Sequence, residues 1–368
     1  MTQSASAPGQ PGSSAAARAS ERLAAALPSA PGLQHVVVGP EAILFEGAAG
    51  WADVLGRRPL EPSTTLMAYS MTKTVTAVAA LQLVERGVLS LEEPVRSLLP
   101  EIPYDGRLRV RHLLAQTSGI PNPLPLRWVH LPKEHAAFDE KAMLARRLAE
   151  HPRLRFPPGA RYAYSNLSYW LLGRVVEVVS GTAYPAYVRA NVLDRLGLSP
   201  EEIGFEIPAP GRHARGYLPR WSAMSLLRPL LLDSRFVGRS EGRWLQVKDA
   251  YLDGPAFGGL VASARAMASF LRDQLGEESV LLGPEGRRLL RERQATDAGA
   301  PIRMTLGWHV APGPRAFLYK EGGGAGFHSE MRVYPRARIA SVAMASSAAF
   351  DVKRFLDVAD REFGAGEA

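Results

Sequence analysis

Residues 71–86, MTKTVTAVAALQLVER, constrain the fold more than any other stretch. They predict a helix, ended by Gly87, with Val75, Val78, Ala79, Leu81, Leu83 and Val84 on most of its sides. A helix apolar nearly all round has no face to offer water, so it must be buried. Yet it opens on Ser70 and Lys73, three positions apart and therefore one turn apart on one face. The plain alternative makes Ser70 an N-cap and Lys73 a solvated residue of the first turn. Burial of the helix makes a solvated lysine hard to keep. S-x-x-K alone occurs often by chance, so the rest of the chain has to discriminate.

The surrounding text alternates between two textures. SERLAAALPS (20–29) reads as a short amphipathic helix, and strand-like runs follow at 33–38 and 42–46 around a Gly-Pro turn. From 94 to 250 the text is mostly helical, with Pro/Gly loops at 119–128 and 155–162 and a helical period with a glycine stop at 166–181. Strand signals return at 307–312, 316–323, 327–335 and 338–346, before a closing helix at about 350–363. Early strands, a helical middle and late strands predict an α+β chain: one sheet built from both ends, with a helical domain inserted. The expected boundaries are a disordered, Ser/Ala/Gly/Pro-rich tail at 1–19, a discontinuous sheet domain at 20–93 and 255–364, a helical domain at 94–254, and a tail at 365–368.

Composition removes several function classes. The 368 residues are 46% hydrophobic, enough for a large core. The net charge of +8 is scattered, and the densest basic groups, at 146–148 and 287–293, sit in helix-like text among acids. They read as solvated faces, and no nucleic-acid partner is expected. The absence of cysteine excludes disulfides, thiolate nucleophiles and cysteine metal sites. The eight histidines form no HExxH or HxH pair, so no metal or other cofactor is expected. The first 19 residues lack the basic and apolar regions of a secretory signal, and no apolar run is long enough to span a bilayer. The expectation is a cytoplasmic protein with a small-molecule partner; the oligomeric state stays open.

Two further polar clusters stand out: YAYSN (162–166), just before a helix, and YKEGGGAGF (319–327), at the end of a strand. Read plainly, Tyr164 and Asn166 cap the helix near 167, and the glycines make a turn. The glycines fit neither GxGxxG nor GxxxxGK[ST], so a phosphate cradle is disfavoured, and no G-x-S-x-G occurs. S-x-x-K, Y-x-N and K-x-G in this order resemble the serine β-lactamase and penicillin-binding-protein superfamily. The resemblance points to the branch of class C β-lactamases, D-alanyl peptidases and family VIII esterases. It extends from about 32 to 363 and includes HLLAQTSGI (112–120), GGLVASARAMASFL (258–271) and LGWHV (306–310). It implies a β-lactamase/transpeptidase-like fold, an antiparallel sheet flanked by helices with an inserted all-helical domain. It also implies Ser70 as the acylated nucleophile, Lys73 and Tyr164 as the activating pair, and Asn166 as the residue that orients Lys73 or the substrate. The resemblance places Lys320 and Gly322 in the third motif and implies that backbone N–H groups of Ser70 and Gly323 form the oxyanion hole.

The chemistry is consistent on its own terms. A serine hydroxyl needs a base within hydrogen-bond reach. Two ammonium groups, Lys73 and Lys320, close to Tyr164 would favour a phenolate, whereas desolvation and mutual repulsion would instead give a neutral lysine. Sequence leaves the proton acceptor open. The third motif departs from the family: Glu321 stands where a hydroxyl or small residue is usual, facing either the pocket, where it would repel a carboxylate, or the other side of the strand. Gln116, where histidine is common, receives no role. These features imply a serine hydrolase, read as a carboxylesterase for short or medium acyl esters. The alternatives are an amidase, D-amino-acid peptidase, β-lactamase or acyltransferase of the same fold, or a catalytically silent binding module. RWSAMSLLRPLLL (220–232) reads as core packing or as a lid over the acyl group, with Trp221, Met224, Leu227 and Leu231 at near-helical spacing.

Overall fold

Strands from both ends of the chain pair into one seven-stranded antiparallel sheet. In this computed structural model, which describes residues 13–123, 128–221, 233–313 and 317–365, the first strands are β1 (Gly32–Val38), β2 (Ile43–Asp53) and β3 (Arg58–Pro59). The last are β12 (His309–Val310), β13 (Leu318–Gly324), β14 (Phe327–Tyr334) and β15 (Ile339–Ala345). The order β12-β13-β14-β15-β1-β2-β3 sets the two chain ends side by side, with Leu33 opposite Ala345 and Val38 opposite Ala340. Both β1 and β15 are buried throughout. Their side chains divide by alternation between two cores. Leu33 and Val37 join α1 (Ser13–Ala26) and α11 (Val352–Ala359) on one face. Val36 and Val38 join α2 (Thr72–Glu85) and α9 (Ala264–Leu275) on the other. The α+β design read from the sequence is the observed one.

Helix α2 is as buried as its pattern requires: every residue from Thr72 to Leu83 is inside. Shorter helices α3 (Val95–Leu98) and α4 (Val110–Leu114) precede α5 (Glu140–Glu150), α6 (Asn166–Ser180) and α7 (Tyr184–Val188). Later come α8 (Pro255–Gly258) and α10 (Pro284–Arg291). Helices α6, α8 and α10 pack around α2. Helix α6 is capped by Ser165, whose Oγ accepts from Ser168 N, and it stops at Gly181 with φ +69°. The cap is thus neither Tyr164 nor Asn166, and the Asn166 side chain remains free for another use.

Two expectations are amended. Residues 13–19 of the expected tail are helical, because alanine is the best helix former and Ala15, Ala19 and Leu23 make a buried stripe at four-residue spacing. The stretch 94–254, expected to be mostly helical, also carries strands. β7 (Gly216–Pro219), β8 (Val237–Glu241) and β9 (Trp244–Val247) form their own sheet, with the β8–β9 turn made by Gly242 at φ +62°. β4 (Leu66–Met67), β6 (Ile203–Gly204) and β11 (Val261–Ala262) form a second small sheet, and β5 (Val129–His130) pairs with β10 (Tyr251–Leu252). Of the stretch considered as a lid, Trp221 is 82% exposed. Met224, Leu227, Leu231 and their neighbours lie outside the described residues. No helix among the described residues is long and apolar enough to cross a membrane.

β14 carries a charge network beneath α11. Arg332 is 1% exposed; it bonds Glu330, also 1% exposed, and Asp357 at 2.8 Å. Removing one member of a buried pair strands the other charge. Arg332→Met is expected to cost about 3–5 kcal/mol in urea unfolding, and adding Glu330→Leu should recover much of it. A loss under about 1 kcal/mol in the single variant would show that Glu330 is not left uncompensated.

Candidate active site

The site begins with a strained residue. Before α2 the chain makes a tight turn at Tyr69–Met71, and Tyr69 takes φ +46°. A non-glycine residue holds this left-handed conformation only when its surroundings fix it. The Tyr69 hydroxyl donates to Ala325 O at 2.8 Å, and its carbonyl accepts from Thr72 Oγ1 at 2.6 Å. Its ring covers Gly324, where a Cβ would come within 2.5 Å of it. At Gly322 a Cβ would lie 2.1 Å from Ala68 O and 3.2 Å from Ser70 N. Glycine at 322 lets β13 lie directly against the start of α2, which brings the K-x-G strand to the S-x-x-K turn.

The structure brings together Ser70, Lys73, Tyr164 and Asn166. Ser70 Oγ is 2.7 Å from Tyr164 Oη and 2.9 Å from Lys73 Nζ. Lys73 Nζ also reaches Asn166 Oδ1 at 2.8 Å and Phe257 O at 2.5 Å, and Lys73 is fully buried. The loop that carries Tyr164 and Asn166 is held through its backbone. Gln116, itself at φ +58°, accepts from Ser165 N at 2.6 Å and donates to Ser165 O at 3.2 Å. Asn122 Oδ1 accepts from Asn166 N at 3.0 Å. Gln116, Asn122 and the Phe257 carbonyl had no role in the sequence reading. Only Gln116 stood in a phrase that marked it, AQTSG.

Burial sets the electrostatics. It pushes the Lys73 amine well below its ordinary range, and the nearby charge of Lys320 pushes the same way. It pushes the Tyr164 phenol up, against the hydrogen bond from Ser70. Both groups therefore favour their neutral forms. Lys320 is also fully buried, its Nζ 5.9 Å from the centre of the Tyr164 ring and 5.7 Å from that of Tyr169. It has no hydrogen-bond partner among the described residues, and burial lowers its pKa to about 7. His309, from the LGWHV phrase, hydrogen-bonds Tyr162 at 3.2 Å beside Tyr164 and is held neutral, its pKa near 2, by burial and then by the charges of Lys320 and Lys73.

Glu321 does not join this cluster. Alternation along β13 puts it on the face opposite Lys320 and Gly322, and its Oε1 is 2.7 Å from His328 Nε2. His328 Nδ1 in turn lies 2.6 Å from Phe350 O. Of the two readings of Glu321, the side chain turned away is the observed one, although its charge still raises the Tyr164 pKa slightly. Ser70, Asn166 and Gly323 open onto a cavity of about 280 Å³, lined mainly by apolar side chains such as Met67, Leu252 and Phe327.

A family model for Beta-lactamase matches residues 21–363. The chain belongs to the β-lactamase family. Among curated proteins it is 34% identical over 194 residues to Esterase EstB of Burkholderia gladioli, covering 48% of this chain and 47% of that protein. It is 28% identical over 179 residues to Penicillin-binding protein 4* of Bacillus subtilis (strain 168), covering 48% of this chain and 39% of that one. The matched part is thus about half or less of each of these two relatives. The fold is shared with D-amino acid amidase from Ochrobactrum anthropi SV3, with a TM-score of 0.78 at 17% identity over 96% of this chain and 100% of that one.

The buried Lys320 gives this family member a pH-dependent stability. Its folded pKa of about 7 lies below the ordinary 10.5, so between these values the unfolded chain binds the proton and the folded chain does not. Stability then rises with pH through that window, and the cost of burying the charge is full below it. Lys320→Met is expected to stabilise the protein by a few kcal/mol at pH 6 and by less at pH 10. Equal gains at both pH values in urea unfolding would show that Lys320 does not titrate in this way.

Proposed function

We propose that this chain is a serine hydrolase that forms an acyl-enzyme on Ser70, and that its substrates are carboxylic esters with short or medium acyl groups. The observation that carries the reading is a serine hydroxyl within hydrogen-bond reach of both a buried amine and a buried phenol, beside an apolar cavity.

Counting hydrogens supports Lys73 as the proton acceptor. A neutral amine has two N–H donors and one lone pair. Phe257 O can only accept, and Asn166 Oδ1 takes the second N–H, so the lone pair is left for Ser70 Oγ. In the proposed reaction Ser70 Oγ attacks the ester carbonyl carbon while its proton passes to Lys73 Nζ. The carbonyl oxygen becomes an oxyanion facing the N–H groups of Ser70 and Gly323, each worth about 3 kcal/mol in such a role. On collapse the C–O bond breaks, and the leaving oxygen takes the proton of Tyr164, which is replaced from Lys73. Water then repeats the sequence against the acyl-enzyme and restores Ser70.

The apolar cavity favours an ester with a hydrocarbon acyl group. Lys320 is followed by Glu321 and not by the hydroxyl that helps penicillin recognisers hold a carboxylate, which disfavours β-lactams. Turnover of p-nitrophenyl butyrate set beside nitrocefin and a p-nitroanilide tests the choice among ester, β-lactam and amide. A cytoplasmic location is carried forward with the same proposal, and cell fractionation checks it.

Ser70→Ala should abolish turnover and labelling by a fluorophosphonate, with the label in wild type on the peptide holding Ser70. A label on Ser118 or Ser165 would overturn the assignment. Tyr164→Phe and Lys73→Ala should each lower kcat by roughly 10²-fold or more, and the double variant should lose little beyond the worse single one. Activity should fall on the acid side as Lys73 gains a proton. A kcat that holds steady to low pH would exclude a neutral Lys73 as acceptor.

A further inference from the structure

The two most exposed large apolar side chains among the described residues stand at one end of the molecule. They are Trp221, 82% exposed, and Leu55, 61% exposed. Leu55 lies in the turn between β2 and β3, and its N–H donates to Glu241 Oε2 at 3.2 Å, at the end of β8. Trp221 follows β7, and Arg220 N, just before it, donates to Arg243 O at 2.8 Å in the turn between β8 and β9. Both side chains therefore border the same β8–β9 turn. A single exposed apolar group is ordinary. These two are joined by three exposed arginines, Arg57, Arg220 and Arg243, none with an ion pair among the described residues. The guanidinium groups of Arg220 and Arg243 lie over the Trp221 and Trp244 rings, 5.1 and 5.2 Å from their centres. Stacking covers the face of a guanidinium and leaves its edge N–H groups free for an anion. The neighbouring acids are committed inward. Glu241 is 8% exposed and accepts from Tyr217 Oη at 2.9 Å, and Asp53 accepts from Gly56 N at 2.8 Å and faces Arg215.

Arginines set around an exposed tryptophan and leucine match the chemistry of a water–lipid boundary. The cations meet headgroup phosphates, and the indole sits at headgroup depth. A nucleic acid or another soluble polyanion would use the arginines but gains nothing from Leu55. We propose that this end of the molecule docks on an anionic phospholipid bilayer, with Trp221 and Leu55 entering the headgroup layer and Arg57, Arg220 and Arg243 meeting lipid phosphates. The contact is peripheral and needs no membrane-crossing segment. It goes beyond the acyl-enzyme reading of Ser70 and does not depend on it. The two are nevertheless joined by one element. β9 runs from the docked turn to Val247, and Val247 and Lys248 line the cavity beside Ser70. The strand rise puts that wall about 13 Å along β9 from the turn, within reach of an ester dissolved at the lipid surface.

The test is sedimentation of the full chain with sucrose-loaded vesicles of phosphatidylcholine, alone or with one-third phosphatidylglycerol. Binding is expected to be about ten-fold or more stronger on the anionic vesicles, and to fall at high salt. An arginine near such a surface is worth about five-fold in partition, so Arg220→Gln with Arg243→Gln should lose about 25-fold. Trp221→Ser and Leu55→Ser should each weaken binding several-fold at constant charge. All four side chains are exposed, so the substitutions remove no core packing. Arg336→Gln with Arg338→Gln removes the same charge from the β14–β15 turn, at the opposite end of the seven-stranded sheet from Leu55, and should stay within about two-fold of wild type. No preference for anionic vesicles, or equal losses in the two arginine pairs, overturns the docking surface. Binding that Trp221→Ser and Leu55→Ser leave unchanged, matched by equal binding to heparin, assigns the arginines to a soluble polyanion and overturns the lipid.

Discussion

Hiding one amine from water is the constraint around which this molecule is arranged. Lys73 sits in the first turn of a helix with no solvated face, and its Nζ keeps contact with Ser70, Asn166 and the Phe257 carbonyl. Each partner comes from a different element: the turn before α2, the start of α6, and α8. A buried polar group without partners costs several times what a satisfied one returns, so the packing of α6 and α8 on α2 and the polarity of the site are one requirement. The same arrangement that makes burial of the amine tolerable also directs its lone pair at a hydroxyl.

The sheet supplies the opposite wall. β13 reaches the turn at Ser70 only because residue 322 has no side chain, and the turn keeps its shape only because Tyr69 is tied to Ala325 and Thr72. Lys320 arrives on that strand as a second buried amine, its Nζ 5.9 Å from the centre of the Tyr164 ring and 5.7 Å from that of Tyr169. Burial and then the charge of Lys320 lower the affinity of Lys73 for a proton, and burial lowers that of Lys320. An amine that is neutral at rest, as burial makes Lys73, can take up a proton during reaction without first losing one.

Much of this was legible in the sequence, for identifiable reasons. The apolar circumference of α2 declared its burial, and burial turned Ser70 and Lys73 from a chance spacing into a pair. The strands at 33–38 and 327–346 were visible by composition and alternation, and pairing both ends into one sheet followed. Tyr164, Asn166 and Lys320 were visible by motif order. What could not be read was of two kinds. The Phe257 carbonyl, and the carboxamide of Gln116 turned onto backbone groups, leave no residue pattern, because main-chain partners carry no identity. The direction of Glu321 needed the register of β13 against β14, which places His328 within its reach. The β7–β9–β8 sheet was hidden by its short strands inside a stretch dominated by helical text.

Gln116 grips the main chain of Ser165 and not its side chain. Divergence can therefore proceed unevenly across the loop. Position 165 needs a short hydroxyl side chain that accepts from Ser168 N to cap α6 and donates to Pro121 O, so threonine can serve. Position 116 needs a donor and an acceptor side by side at a fixed reach, on a backbone already turned left-handed. Lineages that drift at 165 keep the geometry of Tyr164 and Asn166, whereas a change at 116 has to be answered by a new support for the loop.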